Sequence, residues 1–139
     1  MTALSADANI TTRNDVGMHR KSFQVVSSGT IYQGSLVMVA NQTTGCLAAA
    51  DTASNFFVGL AQKQVVNASG GTSRCEVVTN LDAYLVGSSI LVTSLGSVSE
   101  VLDSATVALS GGTSNHVKVG RVEEYGDSTH AWIWLGQLV

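Results

Sequence analysis

Three histidines, two cysteines and ten acidic residues are the side chains of this 139-residue chain most able to hold a metal or move a proton. Their spacing does not assemble them. His19, His116 and His130 lie 97 and 14 positions apart, and no Cys or carboxylate completes a ligand set beside any of them. A zinc site needs three or four converging N, S or O ligands, so no metal is expected. Cys46 and Cys75 are 29 positions apart and belong to no CxxC pair. They read as two buried free thiols, with a disulfide as the alternative in an oxidising compartment. Asp51, Asp82, Asp103 and Asp127 fall in connections or turns, where Asp bonds its own backbone, and they do not form a calcium-loop pattern. Glu123 and Glu124 are adjacent, so on a strand they point to opposite faces rather than across a cleft. There is no G-x-S-x-G elbow. The loops Ser69-Gly70-Gly71-Thr72-Ser73 and Ser110-Gly111-Gly112-Thr113-Ser114 do not continue into G-K-[ST] or open a helix, and read as loop tips rather than phosphate cradles. No catalytic residue and no cofactor is expected.

Aromatic residues give a signal of a different kind. Trp132 and Trp134 are two apart on a final strand and project the same way, opposite Ala131, Ile133 and Leu135. Either the indoles fill the core and the aliphatic face meets solvent or a second layer, or the indoles form a contact face, where large aromatics recur. Trp132 and Trp134 are therefore the candidate interface aromatics. A single-stranded nucleic acid platform would also surround them with Lys and Arg, and only Lys118 and Arg121 are near in sequence.

The elements that must carry these residues are short β-branched runs punctuated by Gly, Asn, Ser and Asp. Phe23–Val26, Leu36–Ala40, Cys46–Ala50, Phe56–Ala61, Arg74–Thr79, Tyr84–Val86, Ile90–Thr93, Val117–Val122 and His130–Leu135 read as strands. Asn41–Gly45 and Asn67–Gly71 read as turns, and Gly59 inside a strand marks a bulge, a bend or a close backbone approach. Val98, Val101, Leu102, Ala105 and Leu109 fit helical spacing, so a short helix near 100–109 is one expectation, and two short strands around Asp103-Ser104 are the other. A strand about every ten residues, with no alternating long helices, predicts an all-β fold: one antiparallel β-barrel or sandwich.

Residues 1–22 lack this pattern. Their side chains carry +1, against −4 for the remainder, and their apolar residues have no clean period. The segment reads as an extended N-terminal arm, either mobile or laid along a partner, with residues 23–139 as the barrel body. Its polar and basic members, Thr11, Thr12, Arg13, Asn14, Arg20 and Lys21, are the candidate contact residues.

Composition narrows the classes further. Net charge is −3, with seven basic residues and 12% charged residues overall. That is about half the usual charged fraction, and it lacks the cationic surface that nucleic acid requires. No apolar run approaches the ~18 residues of a membrane span, and the leading residues lack the charged and apolar regions of a secretory signal. The three Asn-x-Ser/Thr matches, at Asn9, Asn41 and Asn67, are therefore read as coincidental. Seventeen Ser and thirteen Thr replace the missing charge. Small hydroxyl side chains lose less rotamer entropy on being covered than Lys or Glu, so such a surface suits permanent assembly.

The order of the strand motifs resembles a known family. Gly34-Ser35-Leu36-Val37, Phe57-Val58-Gly59-Leu60-Ala61, Val86-Gly87 before Ile90-Leu91-Val92, and Val119-Gly120-Arg121-Val122 are similar in sequence and order to the small capsid decoration (cement) proteins of tailed bacteriophages, over about residues 29–135. One departure is Asn80-Leu81 where the family usually has a Gly-Val step, and Asn is the next-best residue for a left-handed turn. The resemblance implies a β-barrel body without catalysis. It implies binding to major capsid proteins on the outer surface of an assembled head, with the protein made in the host cytoplasm and self-associating as a trimer first, a dimer second. An alternative of another class is a β-rich ligand- or glycan-binding module on a virion or cell surface.

Overall fold

The computed structural model describes residues 3–40, 44–88, 90–109 and 112–136. Asn41–Thr43 of one expected turn and Ser110–Gly111 of one expected loop tip lie outside the described residues. In chain order the strands are β1 (Thr12–Arg13), β2 (His19–Gln24), β3 (Thr30–Ile31), β4 (Leu36–Val39), β5 (Cys46–Ala48), β6 (Phe56–Ala61) and β7 (Val65–Val66). They are followed by β8 (Arg74–Thr79), β9 (Leu81–Ser88), β10 (Val98–Val101), β11 (Thr106–Leu109), β12 (Lys118–Asp127) and β13 (His130–Leu135). The fold is all-β.

Five strands close a barrel. Its order is β9-β11-β10-β12-β13, and β13 returns to β9 in register from His130↔Val86 to Leu135↔Leu81. One neighbouring pair, β9 with β11, is parallel; the others are antiparallel. Strand parity decides what fills it. Ala131, Ile133 and Leu135 of β13 are fully buried, with Ala83, Val119 and Val122 around them. The indoles of Trp132 and Trp134 stand on the outer face and are half-buried. The aliphatic side chains, not the indoles, fill the core: a five-stranded barrel has room for aliphatic side chains inside, not for two indoles.

A second sheet, β2-β8-β6-β4-β5, packs against the barrel. It curls until the residue after β2 meets β5, through a parallel bridge between Val25 and Cys46. Its two faces serve two cores. Leu36, Met38, Leu60 and Val78 join the barrel core, while Val37, Ala61, Cys75 and Val77 enclose a smaller one with Val25, Ile31 and Cys46. That explains the unbroken apolar run of β4, because a strand buried on both sides does not alternate. Cys46 and Cys75 are both buried and free in the smaller core, and the thiol of Cys75 is pushed up by the adjacent Cys46 and by burial.

Three expectations need correction. The helix near 100–109 does not form: Ser99, Glu100 and Val101 pair with Leu109, Ala108 and Val107 as an antiparallel hairpin. Asp103 closes its turn by accepting the Ala105 N–H at 2.8 Å, so β-branched residues and a local Asp turn prevail over helical spacing. Ile90–Thr93 is not a strand either. Only Ile90 reaches the core, and the backbone turns through a 3-10 segment, Val92–Ser94, where Ser94 N–H bonds Leu91 C=O and Leu91 N–H bonds the Ser94 hydroxyl. Lastly, residues 1–22 are not an arm apart from the body. β1 pairs with β9 on the same edge that β11 uses further along, and β2 runs across the 22/23 boundary, paired with β8 along its whole length. The described part of the segment is extended and mostly exposed, as expected, but lies along its own chain.

Two glycines carry this closure. Gly59 has φ +149°, and a Cβ there would press on the Val78 carbonyl and Val77 side chain of β8. Gly120 lets β12 pass so close to β13 that a Cβ would overlap the Trp134 carbonyl. Gly120→Ala is expected to lower stability by about 3 kcal/mol, the cost of overpacking a closed ladder. Gly70→Ala, at φ +72° with open space around it, should cost only about 1 kcal/mol. Urea midpoints at unchanged m-value measure both, and equal losses would refute the close-approach account.

Candidate functional site

Two surfaces collect the residues singled out from the sequence. The first covers β9 and β13 on the outside of the barrel. Cross-strand register sets Trp132 opposite Tyr84 and Trp134 opposite Asp82. Tyr84 stacks on His130 with centroids 5.2 Å apart and meets Trp132 at 5.1 Å. Arg13 lies over Trp132 at 4.0 Å from the ring centroid, a cation–π geometry. Its Nε meets Asp82 at 3.2 Å and its Nη2 meets Glu124 at 2.8 Å. Asn14, at φ +56°, donates to the same Asp82 oxygen at 2.7 Å.

Asp82, expected in a connection or turn, instead stands within β9 and gives this cluster its direction. Its residue is 4% exposed, and a buried carboxylate must be paired and hydrogen-bonded. Both of the side-chain partners found for it come from the leading segment. Thr11 adds a backbone bond, its C=O accepting the Tyr84 N–H at 2.9 Å. Thr11, Thr12, Arg13 and Asn14 thus act first as an intrachain clasp. Arg20 pairs with Glu76 at 2.7 Å.

The second surface is a groove where the barrel meets the second sheet. Two clefts of about 380 and 360 Å³ share Phe56, Phe57 and Gly136 as lining. Trp134 folds over Gly136, where a Cβ would strike its ring. Lys21 and His19 of β2 line one cleft; Lys118 and His116 line the other. Of the candidate contact residues and interface aromatics that the sequence singles out, only Lys21 and Trp134 meet here. Phe56, Phe57, His19, His116 and Lys118 are not singled out by sequence pattern as contact residues, and the signal available for them is Gly59, which bends β6 beside them.

The loop bordering the cleft of His116 and Lys118 is held by one carboxylate. Asp51 accepts the N–H groups of Ser114 and Asn115 at 2.8 and 2.9 Å, and the Asn115 amide at 3.0 Å. Beneath it Glu100, 2% exposed, accepts from Thr113 at 2.8 Å and meets His116 Nδ1 at 3.1 Å. Among the described residues no group of three or more His, Cys, Asp or Glu could hold a metal ion, and no helix is long and apolar enough to cross a membrane.

Comparison with known proteins finds no family model and no curated protein that matches this chain.

Two outcomes are expected. Arg13→Ala should destabilise by about 1–3 kcal/mol, because a buried acceptor loses its charged partner, and Asp82→Asn in that background should restore part of the loss. A double-mutant cycle by urea denaturation reads the coupling, and strict additivity would refute it. The Ser114 N–H above all, with the Asn115 groups and His116 against an opposing desolvation cost, holds the Asp51 carboxyl below its ordinary range. A lowered folded-state pKa adds stability that is full above the unfolded value of about 3.9 and is lost as pH falls through the folded value. The stability difference between wild type and Asp51→Asn should be constant near neutrality and shrink below about pH 4, as urea titrations across that range will measure.

Proposed function

We propose that this chain is a capsid decoration (cement) protein of a tailed bacteriophage, a non-enzymatic body that binds the outside of an assembled head and stabilises contacts between major capsid proteins. The observation that carries the reading is exposed apolar surface. Leu91, Val92 and Leu95 are 61%, 69% and 65% exposed within one turn between β9 and β10, and Phe56 is 68% exposed beside the groove. Clustered large apolar side chains on a surface mark a place that a partner covers. The motif order of the strands and the sparse charge of the chain support the same reading. Binding only the assembled head would stabilise it by mass action, and many copies on one shell would sum weak contacts into a large effect. Copies of the chain would also associate with one another, as trimers first and dimers second.

The glycan-binding alternative wants a bare aromatic platform. Trp132 is capped by Arg13 and flanked by Tyr84, which leaves little ring face for a sugar.

The test is co-sedimentation of the purified chain with expanded heads of the phage that encodes it. Saturable binding and a raised temperature of head disruption are expected, with both weakened by Leu91→Ser and Val92→Ser together. Failure of the wild-type chain to sediment with the heads would overturn the reading.

A further inference from the structure

We infer that the groove along the free edge of β6 docks an extended, carboxylate-bearing segment of another protein, which adds as a strand beside Phe56–Val58. The backbone supplies the first reason. On one side β6 pairs with β4, with Val39 opposite Phe56 and Met38 opposite Phe57. On the other side β8 reaches only Leu60 and Ala61. Between them the ladder slips at Val58, the residue left over between Phe57 and Gly59 in the pairing with β4. Such a bulge re-aims a strand, and here it parts β6 from β8. Among the described residues Phe56, Phe57 and Val58 pair with no strand on that side, and the cleft of His19 and Lys21 lies against them, between β6 and Thr79 at the end of β8. An open strand edge in a cleft is the geometry of strand addition, in which main-chain bonds give affinity and flanking pockets give specificity.

Charge names the occupant. Lys21 lines one cleft, with His19 beside it, Lys118 lines the other, and no Asp or Glu lines either cleft. Neither lysine has an ion pair among the described residues, whereas Arg13 and Arg20 are both paired. In a chain of net charge −3, this is a basic groove with no carboxylate among its described lining residues. Glu100 lies behind His116 and is 2% exposed, and Asp51 is turned to the loop donors it accepts. Lysines beside a free edge repel a second copy of the same edge and attract carboxylates. The exposed Phe56 ring and Trp134 supply apolar anchors for alternate side chains. The inference deepens the proposed capsid contact and rests on it only for who the partner is.

Two arms test it on the full chain. In the first, the probe is a short synthetic peptide of alternating valine and glutamate, read by NMR, with a valine–lysine peptide as control. The glutamate peptide should shift the amides of Phe56–Val58 and slow their hydrogen exchange. Lys21→Glu with Lys118→Glu should weaken binding about tenfold, the loss of two complementary contacts, at an unchanged urea midpoint. Shifts confined to other surfaces, equal binding of the lysine peptide, or no shift at millimolar peptide overturns the proposal. So does binding that appears only after residues 137–139 are deleted, which assigns the groove to the chain's own end. Shifts at Phe56–Val58 on concentrating the protein alone assign it to a second copy and overturn it equally. In the second arm, wild type and double variant are sedimented with expanded heads. Loss of binding in the variant alone supports the groove, and equal sedimentation overturns it while leaving the decoration reading intact. If neither sediments, the decoration reading fails and the peptide arm decides the groove.

Discussion

The second sheet is shared between two cores, and that sharing constrains everything around it. Leu36, Met38, Leu60 and Val78 face the barrel, while Val37, Ala61, Cys75 and Val77 face the smaller core. Successive side chains of a strand leave on opposite faces, so along β4 there is no position at which a polar residue could be accommodated cheaply. A register slip by one residue would exchange the two cores outright. The sheet therefore holds one register, and irregularity is displaced to its margin. The outer end of β6 is that margin: beyond Gly59 the strand leaves β8, and the groove is the space this creates.

The same economy of buried surface explains the leading segment. Its apolar content is too scattered to form a core of its own, and its described residues are mostly exposed. What holds it is largely polar, strand bonds to β9 and β8 and the two side chains that satisfy Asp82, with Ile10 and Met18 packed against the barrel core. A buried carboxylate on the barrel wall makes the clasp obligatory in a way that exposed ion pairs do not, since surface pairs contribute little and an unmatched buried charge is severe. Trp132 is covered as a consequence, because the guanidinium that reaches Asp82 must cross its ring.

Once these demands are met, the exposed residues divide by chemistry. Apolar side chains stand out at the β9–β10 turn, cationic side chains gather at the β6 groove, and on the clasp surface Arg13 is shared by Asp82 and Glu124.

The all-strand class is legible in the sequence because β-branched runs with Gly and Asn punctuation are a local property, and local properties survive folding. Asn80 is legible for the same reason: its short amide side chain suits a left-handed turn, and it stands at φ +62°. Gly59 announces a bulge, a bend or a close backbone approach, and the structure has the bulge beside it and the close approach to β8. Other features are decided only in three dimensions. Parity places Trp132 and Trp134 on one face of β13, but which face meets the core depends on the width of the closed barrel. Ile90–Thr93 and Val98–Leu109 carry patterns compatible with more than one backbone, and pairing partners far along the chain, such as Lys118–Arg121 and Val86–Ser88, select among them. Lys21, Phe56, Lys118 and Trp134 are scattered over more than a hundred positions, and their proximity is a product of two sheets meeting at an angle that no local pattern encodes.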